Sequence, residues 1–160
     1  MKKHKLLVGL LPFFAAPPAE AQVNPEFANI NDAIEMIRDT VQLERKDIIA
    51  EELALTGEES TAFWPVYDAY VAEREVVNDR LVKLITDYAA NYLNMSDEMA
   101  TSLIDDYFDV EAERLKVRRK YVREFDDVLP PKKLARFVQI ENKLDTIVQV
   151  DIASEIPLLR

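Results

Sequence analysis

Side chains that could carry redox or proton-transfer chemistry near neutral pH are almost absent from this 160-residue chain. It has no cysteine, and its only histidine, His4, lies within the first 21 residues. Thiol chemistry and the common transition-metal sites usually depend on these residue types. Glycine occurs only twice, which excludes the glycine-rich loops that bind phosphate groups. We therefore expect a protein that is not an enzyme and that holds no cofactor and no metal.

The acid-rich stretch 105–113 is the next chemical candidate, because Asp105 and Asp109 share one helix face. Paired carboxylates can act as acid and base, or bind a hard cation. A helical di-metal site, however, is built from Glu-x-x-His pairs, and a calcium loop needs a glycine. Neither requirement is met, so the stretch is interpreted as a solvated helix face.

A dense basic run lies between residues 114 and 123 and includes Arg118, Arg119 and Arg123. Such a run predicts either a surface for an acidic partner or a solvated face paired with neighbouring acids. The formal charge of the chain is −10, and it becomes −12 without residues 1–21, which hold three lysines and one glutamate. Nucleic acid requires an excess of cations, so it is not expected as a partner of this acidic protein.

Arg38, Arg45 and Lys46 on the first predicted helix leave one enzymatic alternative. An all-helical pericyclic enzyme of the exported chorismate mutase type manages with Arg, Lys and Glu or Gln around an anionic substrate. This alternative is kept as the third of three functional hypotheses.

The first 21 residues have the pattern of a secretory signal peptide. Three lysines within residues 2–5 precede an apolar run at 6–16, and Ala19 and Ala21 fit a cleavage site. We expect residues 22–160 to form a single exported, all-helical domain in the periplasm, or a secreted one if the source has no outer membrane. No later stretch approaches the ~20 apolar residues of a membrane-spanning helix, so no integral membrane segment is expected after cleavage.

Local signals delimit the helices that must position these side chains. Apolar residues at helical spacing predict a first helix from Asn31 or Asp32 to about Leu55. Thr56 and Glu59 can form a capping box, which predicts the start of a second helix. A kink or a loosened turn is expected between residues 63 and 66, because a proline lies there too deep for a first-turn position.

Two further helix starts follow along the chain. Ser96, followed by two acidic residues, favours a third helix that runs to about Val128. Leu129 and Pro130 favour the start of a fourth helix, because proline is tolerated in a first turn, and its apolar face ends before Pro157. These patterns predict an all-α fold.

The second and third helices are each about 30 residues or longer and lie about four residues apart, so they can only form a long antiparallel hairpin. The first and last helices would flank this hairpin. With the turn centred between residues 94 and 95, residue i faces roughly residue 189 − i. This register predicts that Arg114 lies opposite Glu75 and that Lys116 lies opposite Glu73.

The same register collects aromatic side chains far from the turn, with Tyr121 and Phe125 close to residues 63–68. Aromatic residues at helical spacing are typical of a core, but Trp and Tyr also dominate interface energetics. We therefore retain four aromatic residues, beside the three arginines of the basic run, as candidate partner-binding residues. They are Phe63, Trp64, Tyr67 and Tyr70.

Three segments of the chain form a recognisable set: Leu55-Thr56-Gly57-Glu58-Glu59 followed by Phe63, Met95-Ser96-Asp97-Glu98, and Leu129-Pro130-Pro131-Lys132-Lys133 followed by Phe137. In these segments the chain resembles the Spy/CpxP-type periplasmic proteins, which carry Leu-Thr-x-x-Gln motifs and whose wider group includes zinc-resistance and metal-sensing members. Glu59 and Lys133 occupy the Gln positions of the two motifs, and Pro130 replaces Thr in the second. As motif and helix-cap residues we therefore assign Leu55, Thr56, Glu59, Leu129 and Pro130.

The resemblance implies a helical hairpin, a homodimer and ATP-independent chaperone activity. We accordingly expect an exported chaperone or stress-response accessory protein that binds apolar segments of unfolded or exported envelope proteins. The alternative is an interaction protein of envelope signalling that binds the periplasmic domain of a membrane sensor.

Overall fold

The computed structural model describes residues 44–159, a range that is mostly helical and contains no β-strand. The first helix, α1, is described over residues 44–53. α2 spans Gly57–Asn91 and α3 spans Asp97–Asp126, with a short 3-10 helix at Tyr92–Asn94 between them. α4 spans Pro131–Glu155. The predicted all-α fold is confirmed.

Three sequence predictions fall on residues outside the described range. These are the signal peptide at 1–21, the helix start at Asn31 or Asp32, and the cation Arg38. Between residues 44 and 159, no helix combines the length and the apolar character needed to cross a lipid bilayer.

Capping side chains lie at the starts of α2 and α3, at the positions that the sequence predicts. Thr56 Oγ1 accepts a hydrogen bond from the Glu59 amide at 3.2 Å, and Glu59 Oε2 accepts one from the Thr56 amide at 2.7 Å. This reciprocal pair satisfies amides that the first turn of a helix leaves without a partner. Ser96 caps α3 by accepting from the Met99 amide at 3.1 Å. Both predicted caps are confirmed.

α2 and α3 pack against each other as the predicted antiparallel hairpin. The Tyr121 hydroxyl donates to the Ala69 carbonyl at 3.1 Å, and the ring centroids of Phe63 and Phe125 are 5.2 Å apart. The residue numbers in both pairs sum to about 189, as the turn position predicts. α2 continues as one α-helix through Pro65.

The residues predicted to lie opposite each other across the hairpin form their ion pairs with other partners. Arg114 binds Glu111 and Lys116 binds Glu113, each on α3 itself at 2.8 and 3.3 Å. Glu73 of α2 is bound by Lys120. The relation between residue i and residue 189 − i predicts only positions along the hairpin axis. It does not include the angle of each residue around its own helix. The basic run therefore does meet an acid of α2, but through a residue one turn further along.

The core lies at the open end of the hairpin, away from the turn. Phe63, Tyr67 and Phe125 are buried there, and α1 adds Ile49 and Leu53. Full burial of side chains of this size stabilises a fold by about 1.5–3 kcal/mol each. The predicted gathering of aromatic residues at this end is confirmed.

α4 runs back along the hairpin from its open end towards its turn. Near its start, the ring centroid of Phe137 lies 4.5 Å from that of Phe125. Near its end, Ile152 packs against Ile85 of α2. The described part of α1 packs at the open end of the hairpin, whereas the end of α4 and the residues after it pack near the turn.

Candidate functional site

An apolar groove of about 490 Å³ lies at the turn end of the hairpin. Within residues 44–159, the lining comes from α2, α3, the connection between them, and the end of α4 with the residues that follow it. Its volume and apolar lining are typical of a ligand-binding cleft. The apolar lining residues are Leu81, Leu84, Ile85, Tyr88, Met95, Ala100, Leu103, Ile104, Tyr107, Ile152, Ala153, Ile156 and Leu159.

Helical spacing explains why two long helices supply these walls. The apolar lining residues of α2 lie within 81–88 and those of α3 within 100–107, with successive residues one or three positions apart. The antiparallel register places these two stretches opposite each other. Ile104 and Tyr107 of the α3 wall remain largely exposed. Large apolar patches of this kind are usually covered in a monomeric protein.

Polar side chains occur at one end of the groove. Arg114 Nη1 donates to Glu111 Oε1 at 2.8 Å. Gln149 of α4, in the amide orientation that satisfies both partners, accepts from the Arg114 guanidinium at 3.0 and 3.1 Å. The cation and the carboxylate compensate each other, so this end suits a polar, uncharged group such as a peptide unit better than a free anion.

Two tyrosine hydroxyls lie at the edge of the groove and donate to backbone carbonyls of the segment after α4. Tyr88 donates to Pro157 at 2.8 Å, and Tyr92 donates to Leu158 at 3.1 Å. Burial, together with the nearby Tyr92, raises the pKa of Tyr88 above its usual value.

A buried ion cluster lies further towards the open end and joins three helices. Arg45 of α1 binds Glu141 and Asp145 of α4, each at 2.9 Å. Arg74 of α2 binds the same two carboxylates at 3.0 and 3.4 Å. Tyr70 donates its hydroxyl to Glu141 at 3.1 Å, and burial followed by the Glu141 charge raises the pKa of that hydroxyl.

Arg45, one of the cations that the sequence suggested for binding an anionic substrate, belongs to the ion cluster. Arg45 is buried and has carboxylates on two of its nitrogens. Lys46 pairs at the surface with Asp68 at 2.8 Å. These cations are therefore engaged within the fold, in pairs that stabilise the attachment of α1.

The predicted motif and cap residues come together at the open end, far from the groove. Lys133 Nζ donates to Glu59 Oε2 at 2.6 Å and to the Ala54 carbonyl at 2.9 Å. Leu129 is buried, and Leu55 packs against the core. Pro130 precedes the first residue of α4. These contacts join the end of α1, the start of α2 and the start of α4.

The four candidate aromatic residues also lie at the open end. Phe63, Tyr67 and Tyr70 are buried in the core. Trp64 is half-buried, and its Nε1 donates to Ser60 Oγ at 3.0 Å. Only Trp64 among the four presents appreciable surface, where Lys46 Nζ lies 5.5 Å from its ring centroid.

The three candidate arginines lie on α3, where one of them reaches towards α4 and two are exposed. Arg118 is half-buried and reaches within 4.0 Å of Asp145 Oδ2. Arg119 and Arg123 are exposed, and with Leu115 and Val122 they line a shallow surface depression. None of the three arginines lines the apolar groove.

Sequence reasoning missed the groove and the ion cluster. The cluster had a visible signal, because Glu141 and Asp145 are four residues apart on the apolar face of the last predicted helix. A carboxylate on such a face needs a buried partner. The groove had a weaker signal: the apolar stripe of α2 continues towards the turn, beyond the reach of a short flanking helix.

Within residues 44–159, no three His, Cys, Asp or Glu side chains come together as a metal site. Comparison of this chain with protein-family models, curated proteins and solved structures found no match. The resemblance to the Spy/CpxP-type proteins stays a prediction, and the function must be argued from the chemistry of the groove.

Proposed function

We propose that this protein is an exported, ATP-independent chaperone or stress-response accessory protein whose apolar groove binds apolar segments of unfolded envelope proteins. The observation that carries the proposal is the groove at the turn end of the hairpin, with two apolar helix walls and a volume of about 490 Å³. Export is inferred from the signal-peptide pattern of residues 1–21.

The chemistry of the groove favours a peptide over a small charged ligand. Its walls are apolar, and its polar end holds the mutually compensating pair Arg114 and Glu111. An apolar peptide segment removes its side chains from water there and finds polar groups for its backbone. The groove is also open along one side, where Ile104 and Tyr107 are exposed, so a long chain can enter without threading.

The acidic character of the protein suits the same role. Without residues 1–21 its formal charge is −12, which keeps the protein and its complexes apart in solution through mutual repulsion. Segments that combine apolar and basic residues gain an additional attraction, whereas acidic segments are repelled.

The direct test is suppression of aggregation without ATP. Chemically reduced α-lactalbumin serves as the client, and its light scattering is followed with increasing amounts of the protein. We expect scattering to fall as the protein approaches and exceeds the client concentration. Undiminished scattering at several-fold molar excess would contradict the proposal, and crosslinking in the source cell to a single membrane sensor would then favour the regulatory alternative.

We also propose a homodimer formed through the outer face of α3. Phe108, Leu115 and Val122 are exposed and recur every seven residues, which is the spacing of a coiled-coil seam. Residues 97–113 hold seven acidic and no basic side chains, whereas residues 114–126 hold six basic and two acidic ones. Antiparallel pairing of two α3 helices sets each acidic half against a basic half.

Light scattering of the purified protein at micromolar concentration tests this dimer. We expect twice the monomer mass for the parent protein and the monomer mass for Leu115→Asp, because the substitution places charge on the seam. Lys132→Asp, an exposed change outside α3, serves as the matched control and should leave the dimer intact. A parent protein that stays monomeric would remove the dimer and leave the groove proposal in place.

A further inference from the structure

The segment that follows α4, residues 156–159, lies along one edge of the apolar groove; we call it the strap. α4 ends at Glu155, and Pro157 has no amide hydrogen with which to continue the helix. Ile156 has an extended backbone, with φ −101° and ψ 109°. Its side chain packs against the cluster that contains Ile85 and Tyr92 of the hairpin. The strap thus presents an apolar segment in non-helical form to the groove.

The strap is also held through its backbone. Tyr88 near the end of α2 and Tyr92 at the start of the following 3-10 helix donate their hydroxyls to two consecutive carbonyls, those of Pro157 and Leu158. A carbonyl is present in every residue, so these bonds do not depend on side-chain identity. The side chain of Leu158 is 88% exposed and contributes little to the contact.

We infer that the strap is an intramolecular competitor that occupies the place where an extended apolar peptide of another protein binds. The inference rests on the proposed function and specifies both the form of the bound segment and the regulation of the groove. In the bound state, carbonyls of the incoming peptide accept from Tyr88 and Tyr92, and its apolar side chains replace those of Ile156 and Leu159.

The contacts of the strap are weak enough for such an exchange. Two neutral hydrogen bonds add little net stability, because the released groups bond to water instead. Ordering four residues also opposes the seated state through lost conformational entropy. A strap seated for about nine-tenths of the time would weaken the apparent affinity for an external peptide about tenfold.

A variant that ends at Glu155 tests the inference. The probe is a fluorescein-labelled peptide with the sequence of residues 152–160, and its fluorescence anisotropy is followed with the full chain and with the variant. We expect the variant to bind the peptide about tenfold more tightly than the full chain. A peptide with serine at the positions of Ile156, Leu158 and Leu159 is the probe control and should bind neither protein.

Two full-length variants keep the test decisive if the truncated chain loses helical structure by circular dichroism. Ile156→Ser weakens the seated strap and should also tighten peptide binding. Leu158→Ser changes an exposed side chain and should match the parent.

The possible results separate the strap from the function of the groove. Equal or weaker binding after removal of the strap would overturn the inference while the chaperone proposal stands on its aggregation test. Absence of peptide binding by all folded variants would overturn both.

Discussion

Arg45 Nη1 lies 2.9 Å from Glu141 Oε2, although 96 residues separate the two in the sequence. Both side chains are buried, and the same carboxylate oxygen also accepts from Arg74 at 3.0 Å. This contact attaches α1 to α4. Either side chain would be a buried charge without a counter-ion if the other were removed. The ion cluster is therefore a test of how α1, α2 and α4 are held together.

Glu141→Leu should lower the free energy of unfolding by about 3–5 kcal/mol, because it leaves buried guanidinium groups without their shared carboxylate. Glu124→Leu, on the exposed surface of α3, is the matched control and should change stability by less than about 0.5 kcal/mol. Urea unfolding followed by circular dichroism measures both. If the two variants had the same free energy of unfolding, the ion cluster would not stabilise the fold.

Ala54→Gly should stabilise the protein by about 1 kcal/mol. Ala54 follows α1 with φ 46°, a left-handed conformation that is strained for an L-residue and free of strain for glycine. Part of the gain is offset because glycine is more flexible in the unfolded chain. Ala62→Gly, exposed inside α2, should instead destabilise by about 0.5–1 kcal/mol. Thermal unfolding should therefore show shifts of opposite sign.

Acid should weaken the contact between Glu59 and Lys133. The hydrogen bond from Lys133, followed by that from the Thr56 amide, lowers the pKa of Glu59 below its usual value of 4.5. A carboxyl whose folded-state pKa is lowered contributes stability above its unfolded pKa and loses it as pH falls through the folded value. This contribution should be present at pH 7 and fade below about pH 4.5.

A double-mutant cycle isolates that effect. Glu59→Gln and Lys133→Met are made singly and together, and the coupling between them is measured by urea unfolding at pH 7 and pH 3. We expect the coupling to be smaller at pH 3 than at pH 7, because the lowered pKa of Glu59 means that its charge is lost as the pH falls. Coupling that is the same at both values would show that the charge of Glu59 is not involved.

The groove proposal predicts a difference between two similarly exposed positions. Ile104 lines the groove and is 57% exposed, whereas Val76 lies outside it on α2 and is 64% exposed. Ile104→Asp should weaken binding of an apolar peptide about tenfold, because the bound peptide would cover a charge. Val76→Asp should bind as the parent does. Equal loss in both variants would point to general repulsion by added charge rather than to the groove.

Features that depend on neighbouring residues were predictable. Thr56 and Glu59 are three residues apart, so their capping box follows from local geometry and occurs as predicted. The same holds for Ser96 and for the proline-marked start of α4. The pairing of Phe63 with Phe125 was also predictable, because a short connection between two long helices leaves only one antiparallel register.

Features that depend on the angle of a residue around its helix were not predictable in the same way. Lys116 is near Glu73 in height along the hairpin, yet it pairs with Glu113 on its own helix. Glu141 was part of an apolar face in the sequence, and only the packing of α1 and α2 against α4 supplies its two arginines.

The sequence by itself determined an all-α chain, the capped starts of its long helices and their antiparallel pairing, since these follow from interactions between near neighbours and from a short connection. Tertiary structure alone decided the ion cluster, the apolar groove and the strap on its edge. Each of these brings together residues from at least two separate helices or segments, and α4 decides them because its length and direction determine which surfaces of the hairpin are covered.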